Sequence, residues 1–343
     1  MSGRGDSATA LIQTRRDFVA GLGAAAGLAG IGIPLARADE LLETTSLRLT
    51  QIPALCVVPQ YMAEELLRAE GFGEISYVDT PVDAIDAAIG DGKADFGLAA
   101  SFDHIQAIDA GAPVAVLTGL HGGCFELFGG ERVRNISDLK GRTVGIKGLG
   151  HPHTAFVSIM AAYVGLDPKK DLRWVSPSDP NVRPLDLFAE GKVDAFLGFP
   201  PEPQELRARK AGHVIVNTGL DQPWSQYYCC MLAGNREFIA RHPVATKRVL
   251  RALLIAADLC AAEPLRAAQR IFTRGFTTEY GYAEETLRTV AYDKWREHDP
   301  EDTMRFYALR LHEAGLIKSS PNKIIADGTD WRFFNELKRE LKT

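Results

Sequence analysis

Two segments of this chain have nearly the same sequence and begin 99 residues apart. Gly-Lys-Ala-Asp-Phe-Gly-Leu at 92–98 is matched by Gly-Lys-Val-Asp-Ala-Phe-Leu at 191–197. Each copy follows a run with helical periodicity, at 81–90 and 184–190, and leads into a short apolar strand. A repeat at this distance predicts two similar α/β lobes, and a cleft between lobes is a common place for a small ligand. The alternative is that Gly-Lys-x-Asp is simply a frequent turn sequence.

Predicted strands and helices alternate along most of the chain, which favours an α/β fold with mostly parallel sheets. The residues from 238 to 341 instead have helical patterns nearly throughout, so a mostly helical C-terminal segment is expected. The predicted strands are 47–52, 95–100, 114–118, 143–146, 172–175, 193–198, 214–216 and 227–232, and the helices among them are 59–69, 81–90, 102–110, 153–164 and 203–211.

The N-terminal residues have the order of an export signal. Arg15 and Arg16 precede 18 uncharged residues at 18–35, and Ala-Arg-Ala at 36–38 fits a cleavage site. This order predicts a twin-arginine signal peptide over residues 1–38, cleaved after Ala38, and a soluble periplasmic protein. The alternative is an uncleaved anchor, although the glycine- and alanine-rich run is a poor membrane span.

Composition and motifs exclude several classes of protein. The formal net charge is −5, and the predicted signal removes more basic than acidic residues, which argues against a nucleic-acid partner. We find no G-x-S-x-G, H-E-x-x-H or Walker motif, so we expect no enzyme and no cofactor. The five cysteines have neither CxxC nor zinc-ligand spacing, so we expect packed thiols and no metal. They are Cys56, Cys124, Cys229, Cys230 and Cys260.

Three segments, taken in order, carry a family resemblance. They are Ile-Ser-Asp-Leu-Lys-Gly-Arg-Thr-Val-Gly at 136–145, the Gly-Lys-x-Asp repeat, and Arg-Glu-Phe-Ile at 236–239 with His-Pro at 242–243 before a long helix. On these residues most of 46–260 resembles the solute-binding proteins of ABC importers for nitrate, taurine, aliphatic sulfonates and thiamine-pyrimidine precursors.

The resemblance implies a two-lobe type II periplasmic-binding fold with a hinge of two crossing strands. Lobe one would be discontinuous, at 39–120 and 221–343, and lobe two would be 121–220. The crossings would lie near 119–124 and 217–226. The implied partners are a small-molecule ligand and the permease and ATPase of an inner-membrane ABC importer, and we expect a monomer.

In open α/β sheets the carboxyl ends of the strands face the ligand cleft, which singles out loops in both lobes. For lobe one this predicts Pro53, Ala54, Ser101 and Phe102 as ligand contacts. The corner after the second repeat adds Phe199 and Glu202, and the family resemblance implies that this corner lines the cleft. Glu202 would accept hydrogen bonds from an amine or amide; alternatively it is a solvated loop carboxylate.

The loop at 148–154 is the strongest predicted ligand contact. Gly148 and Gly150 let the backbone approach a ligand, and the helix that follows offers free N–H groups to a sulfonate, carboxylate or similar anion. His151, His153 and Thr154 add hydrogen-bond donors. The alternative is that the glycines only shape a turn and that Thr154 only caps its helix.

Aromatic residues near the second crossing are further candidates. Trp224 or Tyr227 would stack on a flat ligand, although core packing is the alternative for at least one of them. The function expected from these observations is delivery of a small organic anion or a pyrimidine precursor to an ABC importer. The alternatives are a same-fold enzyme of thiamine-pyrimidine or menaquinone synthesis, or a ligand-sensing receptor domain.

Overall fold

The computed structural model describes residues 41–341, in which ten strands form two five-stranded sheets. The predicted signal peptide lies outside the described residues. The strands are β1 Ser46–Gln51, β2 Glu74–Asp79, β3 Phe96–Ala100, β4 Val114–His121, β5 Glu126–Gly129, β6 Thr143–Gly145, β7 Arg173–Val175, β8 Ala195–Gly198, β9 His213–Asn217 and β10 Cys230–Asn235.

Both sheets have the same arrangement of strands. The first has the order β2-β1-β3-β10-β4 and the second the order β7-β6-β8-β5-β9. In each sheet four strands run in the same direction, and one strand, β10 in the first sheet and β5 in the second, runs antiparallel between two of them. The expectation of mostly parallel sheets is therefore confirmed. The single antiparallel strand in each sheet is not predicted from the sequence, because it arrives from the other lobe and local alternation cannot reveal its direction.

The sequence repeat corresponds to the same corner in both sheets. Gly92 and Gly191 have φ values of +68° and +69°, which favour glycine. Two residues after each Lys, a carboxylate accepts a backbone N–H from a neighbouring strand. Asp95 accepts from Arg48 at 2.7 Å, and Asp194 accepts from Thr143 at 2.9 Å. The prediction of a shared helix–turn–strand corner is confirmed.

Helices cover the sheets and form the C-terminal segment, as predicted. They are Val58–Met62, Glu64–Ala69, Ile85–Gly90, Ser101–Asp109, Pro152–Tyr163, Pro184–Ala189, Glu202–Ala208, Arg236–Arg241, Pro243–Ala262, Pro264–Thr273, Tyr280–Thr289, Pro300–Glu313, Pro321–Gly328 and Arg332–Glu340. Among the helices of residues 41–341, none has the length and apolar character needed to cross a bilayer.

Sequence patterns missed two strands and misplaced one. The strand β2 lies at a sheet edge and is partly exposed, so it lacks a continuous apolar run. The strand β5 has only four residues and lies within a glycine-rich segment. The strand expected at 227–232 is found at Cys230–Asn235, and residues 224–226 before it form a short 3-10 turn that includes the buried Trp224.

The chain passes between the sheets twice, through residues 122–125 and again through 218–229. The two crossing segments bond to each other at Phe125 and Thr218. The Phe125 N–H donates to Thr218 Oγ1 at 2.9 Å, and the Thr218 N–H donates to the Phe125 carbonyl at 2.9 Å. Gly123 lies against the same backbone, since a Cβ there would be 2.0 Å from the Thr218 carbonyl oxygen.

The two lobes also meet away from the crossings. Phe102 on the helix after β3 and Phe156 on the helix after β6 have ring centroids 4.5 Å apart. The Leu55 N–H donates to the Pro200 carbonyl at 3.1 Å, joining the loop after β1 to the loop after β8. The main hydrophobic core is consequently continuous from one lobe into the other.

The close packing at Gly123 predicts that Gly123→Ala destabilises the protein by at least about 2 kcal/mol, because backbone cannot move aside as a flexible side chain can. Thermal unfolding followed by circular dichroism measures this. The control is Gly122→Ala, where the nearest atom to a new Cβ is 3.8 Å away, and we expect little change there. Equal melting temperatures for the two variants would contradict this account of the crossing.

Candidate functional site

A small cavity lies where the two lobes and the first crossing meet. The first lobe contributes Ala54, Cys56 and Asp103 among others, the crossing contributes Cys124 and Phe125, and the second lobe contributes His153 and Phe199. The cavity volume is about 20 Å³. This is room for about one water molecule, so any larger ligand requires the lobes or the lining side chains to move apart.

Aromatic rings form one wall of this cavity, which we call the inter-lobe cavity. The His153 ring lies 5.1 Å from the ring of Phe125 and 5.1 Å from that of Phe199, both nearly edge-to-face. Phe199 and His153 come from the second lobe and Phe125 from the crossing. A flat ligand that entered between the lobes would therefore meet aromatic surfaces.

The carboxyl group of Asp103 lies on the first-lobe side of the cavity. Its Oδ1 atom is buried and has no hydrogen-bond partner among the residues that the structure describes. Burial raises the pKa of Asp103 well above its usual range, and the nearby charge of Asp86 adds to the effect. The shift favours the protonated form, in which the carboxyl both donates and accepts hydrogen bonds. Buried polar atoms rarely stay unpaired, so this oxygen is a strong candidate for ligand contact.

A second cavity of about 20 Å³ lies within the second lobe and includes Lys147, His151, Thr154 and Glu202. Burial raises the pKa of Glu202 to about 7. Burial, with the charge of Lys147, lowers the pKa of His151 to about 4. Burial likewise lowers the pKa of His153, which lines both cavities. Both imidazoles are therefore uncharged at neutral pH.

The loop before helix Pro152–Tyr163 satisfies much of its own hydrogen bonding. The Thr154 hydroxyl donates to the Gly148 carbonyl at 2.8 Å, and His151 Nδ1 accepts the His153 N–H at 3.2 Å. Gly148 is half-buried and Gly150 is exposed. Neither glycine belongs to the lining of the two cavities described above.

The remaining predicted site residues divide between the cavities and the packing around them. Ala54 and Phe199 line the inter-lobe cavity, and Glu202 lines the second one. Pro53 is exposed. The Ser101 hydroxyl donates to the Tyr228 carbonyl at 3.3 Å.

The aromatic candidates are packed against other rings. The Phe102 ring packs against the Phe156 ring of the second lobe, with centroids 4.5 Å apart. Trp224 is buried, and its ring is 5.6 Å from that of Phe156. Tyr227 is half-buried and stacks on Phe306 at 4.0 Å. These rings support the walls of the site and lie outside the inter-lobe cavity lining.

Sequence reasoning missed a cluster of thiols beside the inter-lobe cavity. Cys56, Cys124 and Cys230 line the cavity, and His121 and Cys229 adjoin them. All five cysteines of the protein are buried and free. The cluster has no local sequence signature, because its members come from the turn after β1, the end of β4, the first crossing and the start of β10.

Contacts within this cluster change its proton affinities. The Cys124 and Cys230 thiols hydrogen-bond Cys56 and hold the pKa of Cys56 well below its usual range. Burial disfavours the charged form of His121, but contact with Cys56 outweighs burial and raises the pKa of His121. The Sγ atoms of Cys124 and Cys229 are 3.3 Å apart.

A family model described as "NMT1/THI5 like" matches residues 74–267, more than half of the chain. No curated protein sequence matches significantly.

Several solved structures share the fold at low sequence identity. The periplasmic nitrate-binding protein NrtA from Synechocystis PCC 6803 has a TM-score of 0.73 at 14% identity, over 88% of this chain and 90% of that one. The alkanesulfonate-binding protein SsuA from Xanthomonas axonopodis pv. citri, bound to MOPS, has a TM-score of 0.65 at 17% identity, with coverage of 81% and 96%. The periplasmic aliphatic sulphonate binding protein SsuA from Escherichia coli has a TM-score of 0.64 at 17% identity, with coverage of 82% and 91%. The two-lobe periplasmic-binding fold predicted from the sequence is confirmed.

The raised pKa of Glu202 predicts how the free energy of unfolding depends on pH. The unfolded carboxyl loses its proton near pH 4.5, whereas the folded one keeps it to about pH 7, so this group destabilises the wild type progressively over that interval. We expect Glu202→Gln to be more stable than wild type at pH 8 by on the order of 1–3 kcal/mol, with the gain vanishing below pH 4.5. Urea unfolding across pH measures it.

The control for this experiment is Glu205→Gln on the same helix. Hydrogen bonding to Arg183 lowers the pKa of Glu205, so its contribution to stability is present at neutral pH and lost in acid. The two variants should therefore shift the pH dependence in opposite directions. A parallel shift would show that Glu202 is not held in its protonated form.

Proposed function

Because the chain belongs to the NMT1/THI5-like family, we propose that it is the solute-binding component of an ABC importer, exported to the periplasm. It binds a small molecule between its lobes and delivers it to the permease and ATPase complex in the inner membrane. It carries out no chemistry on that molecule. The observation that carries this proposal is the inter-lobe cavity, in which a buried carboxyl oxygen of Asp103 has no hydrogen-bond partner among residues 41–341.

Closure of the lobes is the expected working motion. The Leu55–Pro200 hydrogen bond joins the two lobes across the cavity. Arg207, on the helix after β8, also reaches the C-terminal helices and contacts Glu285 at 2.8 Å. Ligand release would break these contacts while the backbone pair at Phe125 and Thr218 stays intact as the hinge. A permease would then distinguish the closed from the open form by its surface.

The polar groups of the cavity favour one of the ligand classes left open by the sequence. His153 is uncharged at neutral pH, and the shift at Asp103 favours its protonated form. Such a site suits a flat, uncharged nitrogen heterocycle, of which a pyrimidine precursor is an example. A ring nitrogen or amino group would pair with Asp103 and the ring would lie against Phe125 and Phe199. An oxyanion would gain less here than beside a fixed positive charge.

The proposal is tested by calorimetric titration of the purified protein with aminopyrimidines, nitrate, taurine and aliphatic sulfonates. We expect an aminopyrimidine to bind most tightly, and Asp103→Ala to weaken its binding about tenfold or more through loss of a buried hydrogen bond. The exposed Asp91→Ala is the matched control, and its affinity for the aminopyrimidine should be unchanged. Tightest binding of a sulfonate or nitrate would overturn the heterocycle assignment.

A second variant separates the inter-lobe cavity from the 148–154 loop. Gly150 is exposed and has open space around it, so Gly150→Asp should fold normally and leave the affinity unchanged. A large loss of affinity in this variant would instead locate the ligand at the N-terminus of helix Pro152–Tyr163. Chemical conversion of the bound compound by the purified protein would contradict a pure binding role.

A further inference from the structure

Four buried side chains converge at the junction of the first sheet and the first crossing. Cys56 lies in the turn after β1, His121 ends β4, Cys124 lies in the crossing and Cys230 begins β10. One ligand atom of each, three sulfurs and one imidazole nitrogen, lies within 4.8 Å of all the others. The residues are between 0% and 7% exposed.

These distances are close to those of a tetrahedral zinc site. Zinc binds thiolate sulfur at about 2.3 Å, which places two sulfurs of a tetrahedron about 3.8 Å apart. The cluster therefore needs to contract by no more than about 1 Å to enclose an ion. Three cysteines and one histidine are a common ligand set of structural zinc sites.

The orientation of His121 is already that of a metal ligand. Its Nδ1 lies 2.6 Å from the Gly122 carbonyl oxygen, so Nδ1 carries the proton and donates it there. This leaves Nε2 with a free lone pair, and within the described part of the chain Nε2 is buried without a hydrogen-bond partner. Metal-bound histidines typically hold their other nitrogen by such a bond to a carbonyl.

Neighbouring groups support the cluster from outside. The Tyr292 hydroxyl donates to the Cys56 carbonyl at 3.1 Å, and the Tyr292 ring packs against His121 at 5.5 Å. The Cys229 sulfur, 3.3 Å from that of Cys124, can donate its S–H to a Cys124 thiolate. Such support lowers the cost of burying the negative charge of three thiolates.

We propose that Cys56, His121, Cys124 and Cys230 form a structural Zn²⁺ site that fastens the first crossing to the first sheet. Thiolate and imidazole ligands select zinc over magnesium or calcium, which prefer oxygen. Four protein ligands fill a tetrahedron and leave no open position for a substrate, so the role is structural. The site does not depend on which solute the inter-lobe cavity takes.

The first test is the metal content of the full-length chain, purified without a metal-affinity resin under reducing conditions. We expect about one zinc per chain, and recovery of five free thiols after denaturation with a chelator. Cobalt added to the chelator-treated protein should give the thiolate charge-transfer and visible bands of tetrahedral coordination. Removal of zinc should lower the melting temperature, since the ion binds only the folded chain.

The second test uses matched cysteine variants. Cys56→Ser and Cys230→Ser should lose the zinc and the cobalt spectrum. Cys260→Ser should keep both, because that buried thiol lies on helix Pro243–Ala262 outside the cluster. Should a ligand variant fail to fold, the cobalt spectrum of the wild type still shows whether the protein holds a metal in tetrahedral thiolate coordination.

Three results would overturn the proposal. The first is a wild-type protein free of zinc, or carrying copper, with or without a disulfide between Cys124 and Cys229. The second is retention of zinc by Cys56→Ser. The third is loss of zinc by Cys260→Ser to the same extent as by Cys56→Ser and Cys230→Ser. Each of these metal contents is measured without any added solute, so failure of the zinc site is distinguishable from failure of the proposed binding function.

Discussion

The contact on which the rest of this structure depends is the close packing of two backbone segments where the chain passes between its sheets. Phe125 and Thr218 exchange hydrogen bonds there, and Gly123 approaches the Thr218 carbonyl too closely for any side chain at its position. Both lobes are built around antiparallel strands that follow a crossing, β5 in one and β10 in the other. The positions of these strands are therefore set at the same small junction.

The candidate site lies beside this junction for the same geometric reason. The turn after β1, the first turn of the helix after β3 and the start of β10 all lie at the end of the first sheet where β1 and β3 finish. They bring Cys56, Asp103 and Cys230 to one side of the cavity, and the second lobe adds His153 and Phe199 from the other. Burial then controls the chemistry. It favours a protonated Asp103 and an uncharged His153, and it makes an unpaired oxygen or nitrogen costly enough to indicate a missing partner.

Two kinds of binding chemistry are consequently adjacent. Cys56 and Cys124 line the cavity proposed for the solute, and the ligand atoms of both also lie within 4.8 Å of an imidazole nitrogen of His121. The solute cavity is defined by aromatic faces and a carboxyl group, and the thiol cluster by sulfur atoms whose spacing is close to that of a tetrahedral zinc site. An ion held by the second would stiffen the wall of the first, because Cys56, Cys124 and Cys230 belong to both. The hinge, the cavity wall and the thiol cluster thus share residues, and a change in one is expected to reach the others.

The sequence alone determined the features that depend on local patterns. The Gly-Lys-x-Asp repeat predicted two equivalent corners, because a positive-φ glycine and a strand-entry carboxylate are short-range requirements that each lobe must meet. Periodicity likewise predicted most helices and the central strands. Only the tertiary structure decided the direction of β5 and β10 and brought Cys56, His121, Cys124 and Cys230 together. Neither is encoded in neighbouring residues, since both arise from segments far apart in the chain that meet only when the two crossings pack against each other.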